Sequence, residues 1–79
     1  MNPDYTDLQG QYLAFIYHYT KGNGRPPAEA DIYRYFRVLP PTAHQMIVRL
    51  ERKGLITRVL GQARSIKVLV PLEQLPPLE

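Results

Sequence analysis

Four polar side chains, Thr42, His44, Gln45 and Arg49, lie within a stretch of eight residues. Gln45 has the donor and acceptor pair that matches adenine, and Arg49 has the planar donors that match guanine or a phosphate. Thr42 could contact a phosphate or a thymine methyl group, and His44 could donate to a base or phosphate or be an ordinary surface histidine. Such readout requires that these side chains leave one face of a helix near its N-terminus. We predict that these four residues read DNA bases.

A second set of candidates comes from the distribution of charge. The chain has a formal charge of +3, but between residues 25 and 67, here called the basic window, nine Lys and Arg residues outnumber three acidic ones and leave +6. This concentration favours a polyanionic partner over an ordinary solvated surface. Arg52 could instead pair with a nearby acid, and Arg64 could be a solvated hairpin arginine. The residues predicted to contact the DNA backbone are Arg25, Arg34, Arg37, Arg52 and Arg64.

The four candidate base-reading residues must lie on a helix, which we predict from Pro40 to about Lys53. Proline is tolerated in a first helical turn, and Ala43, Ile47 and Leu50 recur at helical spacing, so we predict that they face the core. Gly54 suits the left-handed residue that ends a helix. Two strand-like runs follow, Ile56–Leu60 and Ser65–Leu69, with a hairpin loop at residues 61–64.

Two further helices precede this unit. Thr6 and Gln9 match a capping box, which predicts a helix from Thr6 to about Thr20. Acidic residues in its first turn predict a second helix from Glu29 to Phe36. We therefore predict an α+β, mainly α, winged helix-turn-helix with three helices and a C-terminal two-stranded β wing over residues 1–70. Residues 71–79 contain three prolines and are predicted to form a linker or tail.

Composition argues against several other classes of protein. There are no cysteines, and the two histidines, His18 and His44, fall on different predicted helices, so a metal site or other cofactor is not expected. Ser65 is the only serine and lacks a plausible neighbouring base, so we predict no enzymatic activity. No apolar run approaches the roughly 20 residues of a membrane span, and no signal peptide or small-molecule site is evident.

Five motifs occur in order along the chain. They are Gly24-Arg25-Pro26-Pro27, the helix from Asp31-Ile32 to Phe36, Pro40 with Thr42-Ala43, Leu50-Glu51-Arg52-Lys53-Gly54-Leu55-Ile56, and Arg64-Ser65-Ile66. Taken together, they resemble the DNA-binding domain of the LexA repressor family. The resemblance runs over roughly residues 6–69 and implies a transcription regulator that binds double-stranded DNA. Family members typically carry a second, self-cleaving domain with a serine and lysine dyad, and nothing of it appears in this sequence.

Three departures from the family pattern affect the ends of helices. Leu39 stands where the family usually has a capping serine, Ala28 where it usually has threonine, and Arg37 where it usually has glycine. Loss of each cap is expected to cost roughly 1 kcal/mol unless other groups substitute. Pro41, His44 and Gln45 also replace the family's common recognition residues, so the standard LexA operator is not the expected target.

These observations predict sequence-specific binding of double-stranded DNA by a cytoplasmic regulator at the bacterial nucleoid, with a homodimer on paired half-sites as one arrangement. One alternative is a winged helix that binds another protein through the first helix. The other is the DNA-binding fragment of a self-cleaving repressor. The protein-binding surface would be the tyrosine stripe, which consists of Tyr5, Leu8, Tyr12, Phe15 and Tyr19.

Overall fold

Three helices and a short antiparallel hairpin make up the fold in a computed structural model that describes residues 4–79. This arrangement confirms the predicted mainly helical winged helix-turn-helix. The elements are α1 (Asp7–Asn23), α2 (Glu29–Phe36), α3 (Pro40–Arg52), β1 (Ile56–Thr57), β2 (Lys67–Val68) and a 3-10 turn at Leu72–Gln74.

Helix α1 begins at the predicted capping box and ends three residues later than predicted. The Thr6 hydroxyl accepts from the Gln9 backbone N–H at 3.2 Å, and the Thr6 N–H donates to the Gln9 side chain at 3.0 Å. The helix continues past Thr20 because Gly22 is tolerated within it. It ends at Gly24, whose φ of 75° is left-handed and whose N–H donates to the Thr20 carbonyl.

Two helix starts that lack a capping side chain are satisfied in other ways. The Asp31 carboxylate accepts from the Ala28 N–H at 2.8 Å, which is one half of a capping box. Leu39 has no capping group, but Pro40 and Pro41 have no N–H that needs a partner. Ala28 and Leu39 therefore lower the free energy of unfolding by less than the loss of a capping side chain suggests.

The core lies between α2 and α3, which pack against each other, and α1, which packs against α2 and the hairpin strand β2. Ile32 from α2 and the predicted inward residues of α3 are fully buried in it, which confirms the orientation of α3. Leu55, Ile56 and Ile66 extend the core under the hairpin. The buried hydrophobic side chains of this cluster are Tyr12, Leu13, Phe15, Ile16, Ile32, Ala43, Ile47, Leu50, Leu55, Ile56 and Ile66.

The wing, residues 56–69, pairs over a much shorter length than the two five-residue strands predicted from the sequence. Only Ile56 with Val68 and Thr57 with Lys67 are in register. Beyond them the Ser65 hydroxyl accepts from the Val59 N–H at 2.9 Å and lies 2.9 Å from the Gln62 carbonyl oxygen. This side chain closes the loop in place of ladder hydrogen bonds, so the predicted strands at residues 58–60 and 65–66 are wrong.

The segment 71–79, predicted from its prolines to be a linker or tail, packs along α1 in the structure. The Tyr5 hydroxyl donates to the Gln74 carbonyl, and the Gln11 side chain donates to the Pro77 carbonyl and accepts from the Glu79 N–H. A Cβ on Gly10 would lie 2.7 Å from the Tyr5 ring and 3.0 Å from Pro76, so glycine permits this close approach. Proline rules out strand pairing but leaves carbonyl groups free to accept from helix side chains.

Arg37 ends α2 in the left-handed conformation, with φ of 57°, at the position where glycine is usual. The Arg37→Gly variant should raise the free energy of unfolding by about 1 kcal/mol. Relief of about 1–2 kcal/mol of strain outweighs the 0.5–1 kcal/mol of extra unfolded-state entropy that glycine brings. Urea denaturation measures the change, and Arg37→Ala, which keeps the strain, is the matched control. Equal stability of the two variants would contradict the assignment of strain.

Candidate nucleic-acid interface

The outward face of α3 brings together all four residues predicted to read bases. Thr42, His44, Gln45 and Arg49 are exposed, whereas the residues that alternate with them at helical spacing are buried in the core. The burial of that inner face fixes the direction in which the four side chains leave the helix. Their contact with DNA stays a prediction.

A chain of ion pairs joins α3 to α2 and to the wing. Nδ1 of His44 lies 3.1 Å and 3.3 Å from the two carboxylate oxygens of Glu29. Glu29 also lies 3.5 Å from Arg58, whose Nε donates to Glu51 at 3.1 Å. The network holds the His44 ring by one nitrogen and turns Arg58 inward. Sequence reasoning missed it, because its partners are 7 to 29 residues apart.

The arginines predicted to contact phosphate are mostly exposed. Arg25, Arg34, Arg37 and Arg52 are all solvent-accessible, and within residues 4–79 none of them forms an ion pair with a carboxylate. The three acidic residues of the basic window, by contrast, are all paired internally. Positive charge is therefore concentrated on the surface around α2 and α3.

Arg64 occupies a different place from the exposed wing position expected for it. Its guanidinium lies 3.1 Å from the Asp31 carboxylate, 3.2 Å from the Tyr19 hydroxyl and 3.3 Å from the Pro26 carbonyl oxygen. Its side chain is 30% exposed. Arg64 thus ties the end of the wing loop to α1 and to the start of α2.

The exposed tip of the wing is apolar. Leu60 is 90% exposed and Val59 is also exposed, followed by Gly61 with φ of 79°. The sequence pattern placed both hydrophobic residues in a strand, so their exposure was missed. The switch from strand pairing to a loop closed by Ser65 is what leaves them in solvent.

Within residues 4–79 no group of three His, Cys, Asp or Glu side chains is placed to hold a metal ion. In the same range no helix combines the length and the apolar character that crossing a bilayer requires.

Comparison with known protein families shows which family this chain resembles. The family model of the LexA DNA-binding domain matches residues 2–65. The chain belongs to this family. The resemblance drawn from the sequence motifs is therefore confirmed, and the match extends over all three helices and most of the wing.

Several curated relatives of the LexA-family chain carry the name LexA repressor. The LexA repressor of Pseudothermotoga lettingae is 44% identical over 69 residues, which is 87% of this chain and 34% of the relative. The LexA repressor of Thermotoga petrophila is 36% identical over 75 residues, 95% of this chain and 38% of the relative. That of Thermosipho melanesiensis is 39% identical over 64 residues, 81% and 32% respectively. The chain thus spans from 32% to 38% of the length of these relatives.

Asp31 links the start of α2 to the wing and should make the stability of the LexA-type domain depend on pH. The Ala28 N–H, and secondarily the Arg64 charge, lower the pKa of this carboxyl. A lowered folded-state pKa stabilises the fold fully above the unfolded value of about 3.9, and this contribution is lost as pH falls through the folded value. In Asp31→Asn, the free energy of unfolding should therefore fall less steeply as the pH drops below about 4.

Urea unfolding between pH 7 and pH 3 measures this effect. Arg64→Met is the matched variant, because it removes the smaller cause and leaves the Ala28 N–H in place. It should keep most of the acid dependence while lowering stability at neutral pH. An Asp31→Asn variant with the acid dependence of the parent would refute the role of Asp31.

Proposed function

We propose that this chain binds double-stranded DNA with α3 in the major groove, as the DNA-binding part of a transcription regulator. The observation that carries the proposal is the exposed polar face of α3 surrounded by arginines that lack carboxylate partners within residues 4–79. Helix-turn-helix proteins place the N-terminal part of such a helix against base edges. Family membership and the relatives' name, LexA repressor, support the same conclusion.

The side chains divide into two roles in this proposal. Thr42, His44, Gln45 and Arg49 read bases, and His44 does so through the ring edge that Glu29 leaves unoccupied. The phosphate contacts fix the position of the protein along the duplex. They come from residues in and beside α2 and from the end of α3. Arg64 acts indirectly, since its contacts fix the wing against the helices. The proposed phosphate contacts are Arg25, Arg34, Arg37 and Arg52.

We propose that this chain has no catalytic role and binds no cofactor. We also propose that it acts at the bacterial nucleoid. The Ser65 hydroxyl is engaged by the backbone of the wing loop, which supports a structural role for that serine. Self-cleavage would have to reside in a part of the protein outside this chain. The proposed regulator would occupy paired half-sites as two copies, which gain affinity through effective concentration.

The tyrosine stripe is a weaker candidate for a partner surface than its sequence suggests. Tyr12 and Phe15 are buried, and Tyr5 bonds to the C-terminal segment. Tyr12 stacks on Phe36 with ring centroids 4.1 Å apart, so its ring is occupied within the core. Leu8, 54% exposed, is the member of the stripe that remains clearly open to solvent.

Substitutions should separate base reading from phosphate binding. Gln45→Ala should relax the base preference at one position of the duplex. For a bidentate pair with the base, the loss of binding free energy is on the order of 1–3 kcal/mol. Arg37→Ala should weaken all duplexes alike and reduce the log–log salt slope by about one. Fluorescence anisotropy with duplexes of varied sequence and salt measures both effects.

The matched control for charge is Lys21→Ala, which removes an exposed cation outside the basic window. It should leave the salt slope close to that of the parent. A salt-independent affinity, or a parent protein that binds no duplex even at low salt, would refute the proposed function.

The chain without DNA should be mostly monomeric at micromolar concentration. The C-terminal segment covers part of α1, which leaves little apolar surface for a second copy. Sedimentation velocity measures the state. A stable dimer that dissociates in Leu8→Glu while circular dichroism shows an intact fold would instead make α1 a dimer surface.

A further inference from the structure

The outermost line of α3 is chemically mixed. Each residue of an α-helix advances by about 100°, so positions 41, 45, 48 and 52 share the side opposite the buried Ala43, Ile47 and Leu50. We call this line the outer stripe. It reads Pro41, Gln45, Val48 and Arg52, so two apolar side chains alternate with an amide and end at a cation.

The N-terminal tip of α3 is apolar as well. Leu39 is 72% exposed, and Pro40 and Pro41 are exposed and have no N–H. The N–H groups of Thr42 and Ala43 both donate to the Leu39 carbonyl, at 3.0 Å and 3.2 Å. The tip therefore lacks the free backbone donors with which helix N-termini usually hold phosphate.

Charge complementarity identifies what this apolar surface faces. Arg37 lies just before the tip and Arg49 and Arg52 lie further along the helix, all exposed and without carboxylate partners within residues 4–79. A protein partner with an apolar face would not require this ring of positive charge. A polyanion that displays apolar groups between its phosphates meets both requirements.

The thymine methyl is the apolar group that DNA presents in the major groove. We infer that the outer stripe and the tip of α3 read A·T pairs, with thymine methyl groups against Leu39, Pro41 and Val48 and an adenine edge against Gln45. This inference rests on the proposed function and deepens it by naming the class of base pair. It adds three apolar residues to the polar readers assigned above.

The apolar positions discriminate against G·C pairs, whereas Arg49 lies outside the outer stripe and keeps the guanine or phosphate contact proposed for it. Cytosine presents an amino donor, and guanine presents two acceptors, in the major groove. Placing those groups against proline, valine or leucine would remove them from water without a partner, which is unfavourable. Specificity therefore comes from rejection of G·C as well as from attraction to A·T.

The test begins with selection of preferred duplexes from a random pool by the whole chain. In the selected duplex the thymidines are then replaced by deoxyuridine one at a time. Deoxyuridine lacks only the C5 methyl group. The expected result is an A·T-rich contacted segment in which individual replacements weaken binding by about three- to fivefold, the effect of one buried methyl-sized group.

Two variants locate the methyl contacts. Leu39→Ser places a preferred N-cap residue at the helix start, so the fold should be retained. Val48→Ser removes both methyl groups that would contact thymine and leaves a small polar side chain. Each should remove the deoxyuridine penalty at one position and leave the others unchanged. Leu72→Ser, at an exposed leucine of the C-terminal segment, is the control and should keep every penalty.

The outcomes separate this inference from the proposed function. Duplex binding with equal affinity for thymine and deoxyuridine, or selection of G·C-rich sites, would overturn the inference and leave DNA binding intact. Penalties that persist in both Leu39→Ser and Val48→Ser would overturn the residue assignment. Failure to bind any duplex at low salt would overturn the proposed function and this inference together.

Discussion

Burial of one face of α3 is the constraint on which the rest of the structure depends. Ala43, Ile47 and Leu50 are fully buried, together with Ile32 of α2 and residues of α1. Removal of these side chains from water supplies much of the driving force for folding in so small a domain. It also sets the rotation of α3 about its own axis, and that rotation decides which side chains can reach a ligand.

Internal pairing of the acidic residues shapes the electrostatics of the exposed surface. Glu29 and Glu51 bind Arg58, and Asp31 binds Arg64. These pairs draw two cations, Arg58 and Arg64, inward, yet the arginines beside α2 and α3 stay in solvent. The carboxylates that would repel a polyanion are occupied, while the free cations face outward. The same pairs fasten the wing to the helices, so one set of contacts serves both the fold and the charge distribution.

The helix ends show how this chain keeps a family fold without several of the usual capping residues. Asp31 supplies an acceptor for the Ala28 N–H, and paired prolines remove donors that Leu39 could not satisfy. Arg37 keeps the left-handed turn at the end of α2 at some cost in strain. The replacement at Leu39 and the prolines after it also convert the tip of α3 from a polar to an apolar surface.

The sequence by itself determined the helices, their order and the face of α3 that turns inward, because these follow from local periodicity and capping. The exposure of Thr42, His44, Gln45 and Arg49 follows from that periodicity and was predictable. Tertiary structure alone decided the position of Arg64, the length of the wing strands and the packing of residues 71–79. The first and last of these depend on contacts between distant residues, such as Arg64 with Tyr19 or Tyr5 with Gln74, and the strands are shortened by the bonds of the Ser65 side chain within the loop. Local patterns carry no information about which side chain a distant carbonyl or carboxylate meets, so only the folded chain reveals them.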